Sequence, residues 1–153
     1  MIAANVMTTS LLSLQAHALV RDAVAMFRQS PVHEFPVVDR DEKLLGEVSS
    51  RSILHRAVPA YASSELLSAM CAGPDIQSVY HNMQAMLDRP LDEFMTRDVH
   101  TVHADTPTSA VAAMLASIAG DSTHVYVVDG EQRLLGVISP RDIIRSLPEH
   151  LQA

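Results

Sequence analysis

Residues 37–53 read VVDRDEKLLGEVSSRSI, and residues 127–143 read VVDGEQRLLGVISPRDI. These two stretches lie 90 positions apart and are identical at 9 of 17 positions, whereas unrelated stretches share about one. Upstream, Met7-Thr8 returns as Met95-Thr96 at an offset of 88, so residues 116–124 contain a two-residue insertion. Duplication at a nearly fixed spacing predicts two copies of one structural repeat.

Each repeat has the hydrophobic pattern of a β-α-β-β-α unit. In the first repeat we predict strands at Leu11–Leu14, Phe35–Val38 and Leu44–Ser49, with helices at Ala18–Gln29 and Ser50–His55. In the second, strands are predicted at Val99–Val102, Val125–Val128 and Leu134–Ile138, with helices running to Ile118 and over Arg141–Ser146. Thr106 is expected to cap the first of these helices, with Pro107 at its first position.

The repeats are joined by a segment that also has helical patterning. We assign residues 1–57 to repeat 1, residues 58–93 to a helical inter-repeat segment and residues 94–153 to repeat 2. Within the segment, helices are predicted at Ser64–Cys71 and Ile76–Leu87, separated by Gly73-Pro74-Asp75. Cys71, the single cysteine, is interpreted as a packed core thiol, with a reactive thiol as the alternative. The fold class is therefore α/β (α+β), with two pseudo-symmetric repeats.

Composition excludes several classes of function. The 11 basic and 18 acidic residues give a net charge of −7, which argues against a nucleic-acid partner. Residues 1–6 lack the pattern of a signal peptide, and no run of about 18 apolar residues exists. We therefore expect a cytoplasmic protein without a membrane partner. One cysteine rules out an internal disulfide and any zinc site built from several cysteines.

The stretch Gly136 to Asp142 is the best candidate for ligand chemistry. It predicts that a strand ends at Ser139 and that a helix opens with Arg141 and Asp142. A helix N-terminus favours anions, Arg141 suits a phosphate, and Asp142 suits the paired hydroxyls of a ribose. Gly136 would let a flat group approach the backbone. The alternative is purely structural, with Ser139 and Asp142 only capping the helix and Arg141 solvated.

The sequence resembles a pair of cystathionine-β-synthase-type (CBS) domains. The resemblance rests on features present twice: Met-Thr before the first strand, Val-Val-Asp closing the second, and a Leu-Gly strand that ends at Ser49 or Ser139 before a helix. It implies two repeats packed through their sheets, with two clefts between them. It also implies a regulatory module that binds an adenine nucleotide, such as AMP, ADP, ATP or a related adenosyl ligand, and signals to a separate protein.

The resemblance assigns residues to both clefts. The first cleft would hold the base and sugar phosphate of the nucleotide with Ser10, Leu11, Leu12, Val32, His33, Val137, Ser139, Arg141 and Asp142. His33 is equally compatible with an exposed loop. A second, weaker cleft would use Ser49, Arg51 and Ser52 with Asp98, Val99, His100, Ser122 and Thr123.

The second cleft departs from the family pattern. Ser52 stands where Asp142 stands in the other repeat, and a hydroxyl cannot replace a bidentate carboxylate. Glu47 stands where the other cleft has Val137 and would repel a phosphate. We therefore expect this cleft to be weak or empty. Tyr126 replaces Pro36 and is interpreted as a core residue, with stacking near the second cleft as the alternative.

Other functions have less support in the sequence. Nucleophile elbows, P-loops and dinucleotide-binding glycine motifs are missing, so we expect neither an enzyme nor a cofactor beyond the regulatory nucleotide. His100 and His103 point to opposite faces of a strand, so we expect no metal site. The apolar helix Ser109–Ile118 suggests a homodimer. An alternative function is a ligand-free module that only dimerises its partners, and in either case the effector is unknown and on another chain.

Overall fold

Two three-stranded sheets organise the chain in the computed structural model, which describes residues 1–63, 73, 75–119, 122–148 and 151. Sheet 1 has the order β1-β2-β3, formed by Leu14–Gln15, Glu34–Val38 and Leu44–Ser49. Sheet 2 has the order β4-β5-β6, formed by Thr101–His103, Val125–Val128 and Leu134–Ile138. In both sheets the first pair is parallel and the second antiparallel. The predicted α/β class with two pseudo-symmetric repeats is confirmed.

Six α-helices accompany the sheets in the described part of the chain. They are α1 Ala3–Val6, α2 Val20–Gln29, α3 Ser50–Ala57, α4 Ile76–Met86, α5 Thr108–Ser117 and α6 Pro140–Arg145. Two 3-10 turns lie at Ala60–Ser63 and Leu91–Glu93. The predicted helix Ser64–Cys71, and with it the interpretation of Cys71, lies outside the described residues. No helix of the described ranges has the length and apolar character that a membrane crossing requires.

The first strand of each repeat is shorter and later than predicted. The predicted strands Leu11–Leu14 and Val99–Val102 are replaced by Leu14–Gln15 and Thr101–His103. A tight hydrogen bond from the Leu11 N–H to the Thr9 carbonyl turns the chain away from the sheet, and Val99 donates to Arg97 in the same way. Leu11 and Val99 therefore lie outside the strands that they were predicted to begin.

The capping prediction at Thr106 is wrong by one residue. Helix α5 begins at Thr108 with Pro107 at its N-cap position. The Thr106 hydroxyl oxygen instead accepts a hydrogen bond from the His103 N–H, and the Thr106 N–H donates back to the His103 carbonyl. These two bonds hold Thr106 in the turn that follows β4, so it is not available to cap the helix.

The segment that leads into the first strand of each repeat packs on the other repeat. Thr8 pairs with Val137 of β6 through two backbone hydrogen bonds of 2.9 and 3.0 Å. Thr96 pairs with Glu47 of β3 through bonds of 2.8 and 2.9 Å. The core of repeat 2 includes Ala3, and that of repeat 1 includes Leu91 and Phe94. The Met-Thr segments thus cross between the repeats and lock the two sheets together.

Helix α4 belongs to the packing of repeat 1. Val79 and Met86 are buried in the core of that repeat, and the Asn82 side chain donates to the carbonyl of Ala57 at the end of α3. The Arg21 guanidinium also reaches Asp88 at 2.7 Å. Helix α4 of the inter-repeat segment therefore forms part of the core of repeat 1.

Candidate functional site

A cavity of about 440 Å³ that joins both repeats, here called the main cleft, is the candidate functional site. It lies between the chain before β1, the start of β2 and the junction of β6 with α6. Its size falls within the range typical of small-molecule pockets. The structure brings eight of the nine residues predicted for the first cleft together in its lining: Ser10, Leu11, Leu12, Val32, Val137, Ser139, Arg141 and Asp142.

His33 is the ninth predicted residue, and it does not line the main cleft. Its side chain is exposed, and its carbonyl accepts the N–H of Ser50 at the start of α3. The alternative interpretation of His33 as an exposed loop residue is the one that the structure shows. The neighbours of His33 in the sequence, Val32 and Glu34, line the cleft instead.

The two walls of the main cleft differ in polarity. Leu12 and Val32 keep 58% and 43% of their surface exposed at one wall. Ser139, Arg141 and Asp142 supply a hydroxyl, a guanidinium and a carboxylate at the other. An exposed apolar wall facing a polar wall suits a ligand with a flat apolar part joined to a hydroxylated or charged part.

One oxygen of the Asp142 carboxylate is used to cap α6. Its Oδ2 accepts hydrogen bonds of 2.7 Å from both the N–H and the hydroxyl of Ser139, which forms a capping box at α6. Its Oδ1 accepts a hydrogen bond of 3.4 Å from the Thr8 hydroxyl. The capping interpretation is therefore correct for one oxygen, while the other remains directed towards Thr8 in the cleft lining.

The N-terminus of α6 and Gly136 contribute less to the main cleft than the sequence suggested. Helix α6 has only six residues, Pro140 lacks an N–H, and the Asp142 N–H already points at Ser139. The helix N-terminus thus offers few free donors to an anion. Gly136 does not line the cleft, because a Cβ there would lie 2.7 Å from Met7 Sδ and 3.0 Å from the Thr8 carbonyl oxygen. The glycine admits the crossing segment rather than a ligand.

A mirror cleft of about 220 Å³ lies at the equivalent place in the other half. Of the residues predicted for it, Ser49, Ser52, Asp98, His100 and Ser122 line it. Val99, Thr123 and Arg51 do not: Thr123 turns to Glu34, and Arg51 is exposed. The remaining lining residues are Glu47, Thr96 and Ala119. The mirror cleft is half the size of the main cleft, and its described lining contains no large apolar side chain.

Glu34 is a residue of the main cleft that the sequence analysis did not find. Its side chain is only 5% exposed, and it accepts hydrogen bonds from the N–H and hydroxyl of Thr123, both at 3.3 Å. His124 Nδ1 lies 2.6 Å from its Oε2. Glu34 and His124 occupy equivalent positions of the two repeats, 90 residues apart. The alignment of the repeats could therefore have indicated that these two side chains form a pair.

Tyr126 and Glu47 connect the two clefts. Tyr126 is buried and lines the main cleft, while its hydroxyl donates to Glu47 Oε2 at 2.7 Å. Glu47 lines the mirror cleft, and burial raises the pKa of its carboxyl, with the nearby Glu34 adding to the effect. Burial also raises the pKa of Tyr126, and the Glu47 charge reinforces it. The expectation that Tyr126 is a core residue is confirmed, but it faces the main cleft rather than the mirror cleft.

A family model described as the CBS domain matches residues 3–58 and 91–149 of the chain. A curated relative, the A-adding tRNA nucleotidyltransferase of Aquifex aeolicus, is 24% identical over 148 residues. That alignment covers 97% of this chain but only 14% of the relative. The chain thus spans a small part of that longer protein.

Solved structures share the fold over the whole chain. The CBS-pair protein CBSX2 from Arabidopsis thaliana has a TM-score of 0.78 at 18% identity, covering 99% of this chain and 97% of that one. CBSX2 in complex with AMP has a TM-score of 0.69 at 20% identity, with coverages of 99% and 96%. The CBS domain pair of MJ0100, in complex with 5′-methylthioadenosine and S-adenosyl-L-methionine, has a TM-score of 0.64 at 19% identity, with coverages of 95% and 94%.

Proposed function

The chain belongs to the CBS domain family, and on that premise we propose that it is a regulatory module whose main cleft binds an adenosyl ligand. Binding of the ligand then signals to a separate partner protein. The observation that carries the proposal is the division of the main cleft into an exposed apolar wall and a polar wall. The base of a nucleoside packs on the first, and its sugar and any phosphate meet the second.

The residues of the main cleft divide the work of binding. Leu12 and Val32 provide apolar surface for the flat base. Asp142 Oδ1 accepts from the ribose hydroxyls, while Oδ2 stays in the helix cap and keeps the carboxylate in place. Arg141, exposed at the rim, pairs with a phosphate. The solved complexes of related folds with AMP and with adenosyl compounds support this class of ligand.

The mirror cleft is proposed to be the weaker site. Its cavity is about 220 Å³, and it places the buried acid Glu47 where the main cleft has Val137. Ser52 closes its own capping box with Ser49 and brings no carboxylate to the ribose position. One ligand per chain is the expected stoichiometry.

Isothermal titration calorimetry with AMP, ADP, ATP and S-adenosylmethionine tests the proposal. We expect at least one of them to bind with about one site per chain and to raise the melting temperature by mass action. Two equal tight sites would show that Ser52 replaces the aspartate adequately. Absence of binding by all four would favour the second candidate, a ligand-free dimerisation module, which the helix-capping role of Asp142 also fits.

A further inference from the structure

Two carboxyl groups, one guanidinium and one imidazole line the main cleft in the part of its lining that the structure describes. Its titratable side chains are Glu34, His124, Tyr126, Arg141 and Asp142. Arg141 is the one arginine among them, and no lysine is present in this described lining. Tyr126 is neutral at physiological pH, since burial and the Glu47 charge raise its pKa. The cation at the rim therefore faces two carboxyl groups.

Glu34 differs from the other acid because it is buried and immobilised. Both of its oxygens are held, Oε1 by the Thr123 hydroxyl and Oε2 by the Thr123 N–H and His124 Nδ1. Those donors come from the strand entry of repeat 2, so the carboxyl cannot swing away when a ligand enters. A buried charge is also screened less by salt than an exposed one.

The dimensions of the cleft bring any bound phosphate within reach of that charge. A sphere with the 440 Å³ volume of the main cleft is about 9 Å across, which is close to the Debye length of about 10 Å at 0.1 M salt. A phosphate monoester carries about −1.5 to −2 charges near neutral pH, and further phosphates add more. Arg141 can offset one phosphate, but the described lining offers no second arginine or lysine for the further phosphates of ADP or ATP.

We propose that Glu34 is a specificity-determining residue that restricts the main cleft to adenosyl ligands with at most one phosphate. The preferred class is a nucleoside monophosphate, or an adenosyl compound that is neutral or carries a cationic group. Nucleoside di- and triphosphates are disfavoured by like-charge repulsion. The inference rests on the proposed function, since it concerns the ligand of the same cleft.

Calorimetric titration of the whole chain with AMP and ATP at low salt tests this specificity. We expect AMP to bind at least about tenfold more tightly than ATP. In Glu34→Gln, which removes the charge but keeps an acceptor oxygen, the preference should shrink to about threefold or less. Glu42→Gln is the matched control, because Glu42 is exposed and does not line the cleft. Gln132 has the same left-handed backbone, with φ of 66° against 63° at Glu42, so glutamine is tolerated there.

A second measurement does not depend on any variant folding. In the wild-type protein, added salt should weaken the AMP-over-ATP preference, because it screens the repulsion more for the more highly charged ligand. ATP binding as tightly as AMP, a preference unchanged in folded Glu34→Gln, or a preference unchanged at high salt would each overturn the specificity proposal while leaving the proposed function standing. If AMP, ATP and S-adenosylmethionine all fail to bind, the proposed function itself is wrong.

Discussion

At the scale of single residues, Asp142 caps α6 and is proposed also to meet the ribose, two roles that the sequence presented as alternatives. One oxygen closes the capping box of α6, and the other faces Thr8. The cap holds the carboxylate in one orientation, and under the proposed function this lowers the entropic cost of binding. Ser52, its counterpart in repeat 1, closes the same kind of cap without a carboxylate, so the cap alone needs only a hydroxyl.

Replacing Asp142 separates its two roles. Asp142→Ala is expected to lower adenosyl-ligand affinity about tenfold to a hundredfold by removing charge-assisted hydrogen bonds. It should lower the free energy of unfolding by about 1 kcal/mol through the lost cap. Asp142→Ser reproduces the geometry of Ser52, so it should lose the affinity but keep most of the stability. Calorimetry and melting curves measure both quantities, and a ligand-induced rise in melting temperature that persists in Asp142→Ala would refute the binding role.

Glu47 is predicted to make stability depend on pH. Its folded-state pKa is raised above the ordinary value of 4.5 by burial, so the folded protein holds this proton more tightly than the unfolded chain. Its contribution to stability is therefore lost as pH rises from the unfolded to the folded pKa. Glu47→Gln should gain stability relative to wild type as pH increases from 5 to 8, measured by thermal unfolding. A stability difference that stays constant over this range would contradict the prediction.

At the scale of elements, the crossing Met-Thr segments explain the two strand glycines. A Cβ on Gly46 would lie 2.3 Å from the Thr96 carbonyl oxygen, and one on Gly136 would meet Met7 and Thr8. Each crossing segment adds backbone hydrogen bonds to the last strand of the opposite sheet. The Leu-Leu-Gly motif therefore recurs because both strands must accept a neighbouring backbone at close range.

Gly46→Ala is the test of this packing at the level of elements. The added methyl must displace backbone rather than a flexible side chain, so we expect a loss of roughly 2–3 kcal/mol in the free energy of unfolding. Gly130→Ala is the matched control, because a Cβ there meets nothing within 4 Å. Equal melting temperatures for the two variants in thermal denaturation would show that the backbone at Thr96 moves to accept the methyl group at little cost.

At the scale of the whole molecule, the exposed apolar surface lies at the end of repeat 2 and not on α5, where the sequence suggested a dimer contact. Val111 of α5 is buried, and Met114, Leu115 and Ile118 pack on the core of repeat 2. That helix therefore uses much of its apolar face within the chain. Ile144 of α6 is instead 72% exposed, with Leu147 nearby at 45% and Leu151 at 59%. This apolar end of repeat 2 is the surface that we propose for self-association.

Sedimentation equilibrium at micromolar concentration is expected to show a homodimer. Ile144→Asp should shift the equilibrium towards the monomer, because a charge buried in an apolar contact is costly. Because the Ile144 side chain is mostly exposed within the chain, the variant should melt at nearly the same temperature as the wild type at low protein concentration. A wild-type monomer at these concentrations would refute the dimer.

The sequence by itself determined the features that depend on a few neighbouring residues. The bounds of β3, β5 and β6 were predicted correctly, because apolar runs with clear turn residues on each side encode strands locally. The capping pair Ser139 and Asp142 was also readable, since a capping box spans only four positions. The duplication then implied two repeats, and the resemblance implied which loops would meet at the main cleft.

Only the tertiary structure decided what crosses between the repeats. The contacts of Glu34 with His124 and of Tyr126 with Glu47 join residues 90 and 79 positions apart. Whether such side chains meet depends on how the two sheets are rotated against each other, and no local pattern encodes that angle. The same holds for Thr8, which lies ahead of β1 in repeat 1 but pairs with Val137 of repeat 2. The charge inside the main cleft follows from these long-range contacts, because packing rather than sequence neighbourhood places Glu34 in its wall.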